Sequence, residues 1–207
     1  MLNVNRIQSK KINQHETSVK RFYNERYARI GNNIESVGWG SKKNQFLRFE
    51  ILTKNLNLKK KKILDFGCGF GDLYTFLKKK FKDFTYSGYD INKSFILNNK
   101  KKFPKINFFT EIKLIKRFDF IICSGVFSLR TKYTKFYFIK LINFLYKKSR
   151  KGLMINFLSK KTKVKLKKNC YYSTREIISI VKKLKNCEIN IYENYSLDEF
   201  TLHLLKK

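Results

Sequence analysis

The stretch Ile63 to Leu77, ILDFGCGFGDLYTFL, constrains the fold of this chain more than any other. A short apolar run fit for a buried strand breaks into glycines at alternate positions, then resumes with helical apolar spacing. Glycine adopts torsions closed to other residues and lets a ligand approach the main chain. When such a loop opens a helix, it turns amide donors and the positive end of the helix dipole toward whatever it holds. Asp65 adds a carboxylate beside those donors, and amides plus acid suit a zwitterion better than a bare pyrophosphate. The dinucleotide fingerprint GxGxxG requires a small residue at its sixth place, which is Asp72 here. The spacing therefore argues against a nicotinamide cofactor.

Strands are expected at 63–66, 85–89, 106–110, 118–123 and 152–158, and helices at 71–81, 93–101 and 131–149. Strands alternating with helices predict a parallel sheet covered on both faces. Ser173 and Glu176 have capping-box spacing and open a helix to about Leu184. Cys187 to Tyr192 alternates as a half-covered strand should, and the turn at Ser196 to Asp198 returns it to a last strand, Glu199 to Leu205. Those two read as antiparallel neighbours. Upstream, Phe22 to Gly31 reads as a helix stopped by glycine, and Ser41 caps a helix on which Gln45 and Arg48 share a face.

The pattern DxGxGxG from Asp65 to Gly71 resembles motif I of class I S-adenosylmethionine-dependent methyltransferases. YSGYDI, Tyr86 to Ile91, strengthens the resemblance with a second strand ending in Asp90. An acid there can accept both ribose hydroxyls of a nucleoside, although its plainer role is to cap the helix near Lys93. GWGS at Gly38 to Ser41, Gln45 with Arg48 and Phe49, SGVF at Ser124 to Phe127, NFLS at Asn156 to Ser159 and EFT at Glu199 to Thr201 extend the likeness to small single-domain members. It spans roughly residues 20 to 207.

The resemblance implies an α/β fold: a doubly wound, mostly parallel seven-stranded sheet with helices on both faces and the last strand antiparallel. It implies residues 1–57 as an N-terminal helical extension or lid and 58–207 as the cofactor-binding methyltransferase domain. S-adenosylmethionine is the implied cofactor, held by Asp65, Gly67, Cys68, Gly69, Asp90, Ile91, Glu111, Cys123 and Ser124, with Glu111 near the adenine amine. The Asn or Asp followed by Pro-Pro-aromatic, common in enzymes that methylate base amines of nucleic acids, is missing after Cys123.

The chain carries 47 Lys+Arg against 15 Asp+Glu, a net charge of +32. Such a balance ordinarily indicates a nucleic-acid partner. Here Ala28 and Pro104 stand alone of their kinds while Lys, Asn, Ile, Phe and Tyr abound, so much of the lysine follows A/T-rich codon usage. Most lysine runs also end helices or precede strands, on the rim away from the ligand-binding ends of the strands. Only Ser159 to Asn169, SKKTKVKLKKN, follows a strand and is expected to overhang the active face.

Residues 1 to 30 hold no apolar run of signal-peptide length, and no segment approaches the ~20 apolar residues of a membrane span. A soluble, cytoplasmic protein without a membrane partner is expected. Cys68, Cys123, Cys170 and Cys187 lack zinc-site or disulfide spacing and read as reduced thiols, the first two lining the cofactor loops. No metal is expected.

Tyr23, Tyr27, Trp39 and Arg48 are the candidates for the substrate side, Arg48 as a carboxylate clamp and Trp39 as a stacking surface. His15 is expected in solvent and His203 as a satisfied strand residue; no catalytic base is assigned. The leading expectation is methyl transfer, most simply to oxygen, on a small anionic metabolite or sugar derivative. An RNA methyltransferase using the basic surface and a non-catalytic cofactor-binding subunit are the competing readings.

Overall fold

In the computed structural model, which describes residues 2–38, 41–196 and 198–207 with side chains from Ile7 onward, the strand that feeds the glycine loop is β1, Lys62–Phe66. It pairs in parallel with β2 (Thr85–Tyr89) on one side and β4 (Phe118–Cys123) on the other. With β3 (Asn107–Phe109), β5 (Ser149–Leu158), β6 (Cys187–Tyr192) and β7 (Glu199–Lys206) the sheet has seven strands in the order β3-β2-β1-β4-β5-β7-β6. Strand β7 runs antiparallel to both its neighbours, β5 and β6. The expected mostly parallel α/β sheet with an antiparallel last strand is therefore present.

Successive residues of the central strands feed opposite faces, as the strand period of two requires. Ile63, Phe120, Ile122 and Met154 enter one core with Phe49, Leu52, Leu73 and Leu77; Leu64, Phe66, Ile121 and Ile155 enter the other with Phe138, Leu145 and Ile177. The first core is covered by α2 (Lys42–Leu52) and α3 (Asp72–Lys80), joined by α4 (Lys93–Lys102) through Ile96. The second is covered by α5 (Thr134–Lys148) and α6 (Thr174–Val181). Among the described residues, no helix is long and apolar enough to cross a membrane.

Several boundaries differ from expectation for local reasons. The N-terminal helix α1 spans Leu2–Ile30, much longer than its recognisable last turns, and ends before Gly31 with φ 72° as foreseen. Strand β5 begins at Ser149, because β4 pairs with it from Phe118 onward, so Lys151 lies within a strand rather than before one. Helix α5 starts at Thr134, since Thr131 is held in a turn with its amide donating to Thr134 Oγ1 at 2.7 Å. Helix α6 ends three residues before the expected Leu184. Its capping box is half made: Glu176 N donates to Ser173 Oγ at 3.2 Å, while the Glu176 carboxylate turns to Lys135 and to Lys160, the latter at 2.8 Å. Two lysines outcompete one backbone amide for that acid.

Candidate cofactor and active site

The carboxyl ends of β1, β2, β4 and β5 open onto a cavity of about 310 Å³. Its wall includes Asp65, the loop Gly67 to Phe70, Asp90 with Ile91, and Ser124 to Val126. The glycine loop is drawn onto β2: Gly67 N and Cys68 N both donate to Tyr89 O, at 2.7 and 2.9 Å, and Gly69 N donates to Asp90 Oδ2 at 2.9 Å. The amides expected to be free for a ligand are thus committed within the protein. The glycines serve shape instead. Gly67 and Gly69 hold φ at +81° and +50°, and a Cβ on Gly67 would lie 2.7 Å from Val126 Cγ2. Any side chain there would fill the cradle.

The two acids that the sequence places at the ends of adjacent strands face this one cavity. Asp90 is held by backbone, accepting from Gly69 N on one oxygen and from Asn92 N at 2.8 Å on the other. Helix α4 is capped by Asn92, whose side chain accepts from Ser94 N and Phe95 N, so capping does not fall to Asp90. Asp65 accepts from Tyr86 Oη at 2.6 Å. Burial pushes the Asp65 carboxyl up to about 7, against the lowering effect of Tyr86 and with Asp90 and Asp72 adding repulsion. Burial likewise raises Asp90 to about 6, opposed by the amides of Asn92 and Gly69.

These shifts have a sign. Without ligand, the folded chain holds protons on both acids between their ordinary value of 3.8 and about 6 to 7, where the unfolded chain has released them. The pair therefore costs stability above pH 7, a cost relieved as the pH falls. A cationic ligand favours the ionised acids and must expel those protons. Affinity for S-adenosylmethionine is expected to weaken as pH falls from 8 through 7 and 6, by up to about tenfold per unit for each acid. Calorimetric titrations in two buffers of different ionisation heat check this through proton release at pH 6 to 7; pH-independent binding without proton release would refute it.

The other expected site residues divide. Cys68, Gly69, Ile91, Ser124 and Tyr23 line the cavity. Ser124 Oγ is buried with no hydrogen-bond partner among the described residues, a polar atom that a bound nucleoside or amino acid can satisfy. Cys123 lies in the core with α5, because strand alternation turns it away from the cavity. Glu111 is exposed, pairs with Lys113 at 2.7 Å and is absent from the wall. Tyr27 packs on Phe70 and Phe95 and accepts from Asn98 Nδ2 at 2.6 Å, also off the wall. Trp39 lies outside the described residues.

Arg48 lines the cavity, but its guanidinium is spent on a protein acid. Its Nε donates to Glu199 Oε2 at 2.5 Å and its Nη2 pairs with Glu199 Oε1. Burial pushes the guanidinium down to about 9, still charged at neutral pH. Asn156 Nδ2 reaches Glu199 at 3.4 Å, and its Oδ1 accepts from Gly125 N at 2.7 Å, tying the β4 loop to β5, β7 and α2. Gln45, on the same face of α2 as Arg48, donates to Asp72 at 3.0 Å. Asn156 and Glu199 stand in the stretches NFLS and EFT that the sequence singles out, but no local signal pairs them.

His15 reverses its expectation. It is 4% exposed, stacks on Tyr137 at 4.1 Å and shares a 2.7 Å hydrogen bond between Nδ1 and Thr131 Oγ1. Burial lowers it to about 4 and holds it neutral, while the neighbouring Glu16 is raised by burial. A 29-residue polar helix offers no sequence cue to which face will be covered. His203 behaves as expected, buried on β7 with Nε2 bonded to Ile51 O at 3.0 Å.

Residues 64–145 match the family model of a methyltransferase domain. No protein of curated function matches the chain. Among solved structures, the chain resembles magnesium protoporphyrin IX methyltransferase from Synechocystis PCC 6803 with bound S-adenosylmethionine, at 17% identity, TM-score 0.65, covering 93% of this chain and 97% of that one. It also resembles an S-adenosylmethionine-dependent methyltransferase from Clostridium acetobutylicum ATCC 824, at 15% identity and TM-score 0.58 over 89% of this chain and 98% of that one. A pyocyanin biosynthetic protein matches at 9% identity and TM-score 0.66, covering 90% of this chain and 62% of that one. At these identities the structures speak for the fold, while the domain match falls on the strands and glycine loop that build the cavity. Residues 64–145 thus match a methyltransferase domain, set within a fold that the chain shares with solved S-adenosylmethionine-dependent methyltransferases.

Proposed function

We propose that the enzyme methylates an oxygen of a small molecule bearing an anionic group, such as a metabolite or sugar derivative. The observation that carries this reading is the composition of the cavity's outer wall. Residues of α1 and of the loop 159–169 line a space of about 310 Å³, and Lys168 of the basic loop is among them. The cofactor would take much of that volume, so the room left beside α1 and Lys168 suits a compact acceptor. Residues 1–57 act in this reading as cover and side wall, α1 above the cavity and α2 through Gln45 and Arg48, on the sheet domain of 58–207.

Asp65 and the loop from Gly67 to Gly69 hold the amino-acid end of the cofactor, Asp90 the ribose, and Ile91 with Ser124 the base. S-adenosylmethionine supplies a methyl group on a sulfonium centre. The chain contributes alignment and exclusion of water, worth up to roughly 7–11 kcal/mol in well-oriented reactions. His15, on the cavity wall with Nδ1 bonded to Thr131 Oγ1, is a polar contact for the acceptor rather than a base, since burial lowers it to about 4.

The test is incubation with methyl-labelled cofactor beside a fractionated small-molecule extract and total RNA. Label in an anionic small-molecule fraction, reduced with His15→Ala while cofactor affinity stays unchanged, supports the reading. Label confined to RNA would replace it with the RNA methyltransferase that the net charge of +32 favours.

A further inference from the structure

The loop joining β5 to α6 reaches the cavity only through Leu166, Lys168 and Asn169, and its tip carries a surface of its own. From Lys160 to Lys168 it reads KKTKVKLKK. Val164 is 73% exposed, the most of any large apolar side chain described, and Leu166 is 49% exposed. Lys160 and Lys161 are paired with Glu176 and Glu193, at 2.8 and 3.1 Å. Among the described residues, no ion pair includes Lys163, Lys165, Lys167 or Lys168. The loop is nonetheless pinned on both sides of its tip. Lys160 N donates to Tyr172 O at 2.8 Å, Arg130 N to Lys168 O at 2.7 Å and Cys170 N to Ser128 O at 2.8 Å, while Leu166 N donates to Tyr171 Oη at 2.9 Å. A fixed base thus presents two bare aliphatic side chains among four cations, and Leu166 and Lys168 also line the cavity.

We propose that this loop is a membrane-surface contact that seats the enzyme on an anionic lipid bilayer, with the cavity opening at the headgroup level. This inference rests on the loop being the acceptor-side rim of the cavity. Lysine ammoniums are attracted to anionic headgroups, and aliphatic side chains between them gain by dipping below the headgroup plane. A nucleic acid would use only half of the pattern. Single strands are held by lysine together with aromatic platforms, and no aromatic residue lies between Ser159 and Asn169. Duplex phosphates would accept the lysines and leave Val164 and Leu166 in water. An acceptor dissolved in the interface, an anionic amphiphile, would then reach the cavity without crossing bulk water.

Sedimentation of the full-length protein with vesicles of phosphatidylcholine alone, and of phosphatidylcholine with phosphatidylglycerol, tests the proposal without any knowledge of the acceptor. Binding is expected only to the anionic vesicles. Val164→Asn should weaken it about tenfold, and Val164→Trp should strengthen it, at unchanged charge. Replacing Lys163, Lys165 and Lys167 by Gln should weaken it about a hundredfold. Melting temperature and cofactor affinity should stay at their parent values in the Val164 variants, which separates loss of docking from loss of fold or of the cofactor site. Equal binding to neutral vesicles, indifference to Val164→Asn and Val164→Trp, or complete displacement from vesicles by total RNA would overturn it.

Discussion

The Asp90→Asn protein is expected to bind S-adenosylmethionine at least about a hundredfold more weakly than the parent while remaining folded. In the parent, one carboxylate oxygen accepts from Gly69 N and the other from Asn92 N, each oxygen keeps a further lone pair, and Asp90 lines the cavity. Two charge-assisted hydrogen bonds to ribose hydroxyls at roughly 1.5–3 kcal/mol each amount to a factor of about 10² to 10⁴ in affinity. Asparagine keeps the size but offers one acceptor oxygen in place of two, so it turns an NH2 against a backbone N–H. One of the two backbone bonds to residue 90 is weakened at the same time, while Gly67 N and Cys68 N keep their bonds to Tyr89 O, so the loop stays in place. Calorimetric titration measures the affinity and thermal melting reports the fold. An unchanged dissociation constant in a well-folded variant would remove Asp90 from the cofactor site.

The second large effect concerns stability. Arg48→Met leaves the Glu199 carboxylate in a site where its side chain is only 13% exposed, with Asn156 as a weak remaining donor. Breaking a buried ion pair from one side costs about 3–5 kcal/mol, because the surviving charge is left poorly solvated and poorly compensated. For a chain of this length that corresponds to a fall in melting temperature of roughly 10 °C. The double variant Arg48→Met with Glu199→Gln should regain most of the loss, since no uncompensated charge then remains. Urea unfolding of the parent, the two single variants and the double variant measures the coupling. Equal losses in the single and double variants would mean that packing rather than charge holds α2 against β7.

Much of the fold was legible because its signals are local. The glycine loop, the acid ending β2, Ser41 and Ser173 as caps and the alternating apolar runs of β1, β4 and β5 each depend on a few neighbouring residues. Errors arose where distant partners decided the outcome. Glu176 has the spacing of a capping box but faces Lys135 and Lys160. Arg48 is a free clamp in sequence and one arm of an ion pair across 151 residues in space. Cys123 and Ser124 are adjacent, yet strand alternation sends one to the core and the other to the cavity.

The sequence by itself determined the sheet class and the two acids at the ends of adjacent strands. Strand period, glycine torsion and the opening of a helix act within one turn of chain and need no tertiary contact to be read. Only the tertiary structure decided which polar groups are spent on the protein and which remain for a ligand. The amides of Gly67, Cys68 and Gly69 go to β2, Arg48 goes to Glu199, and His15 is carried by a helix of ambiguous amphipathicity from solvent into the cavity wall. A buried donor or acceptor must find a partner, and which one it finds depends on what the fold brings within about 3 Å.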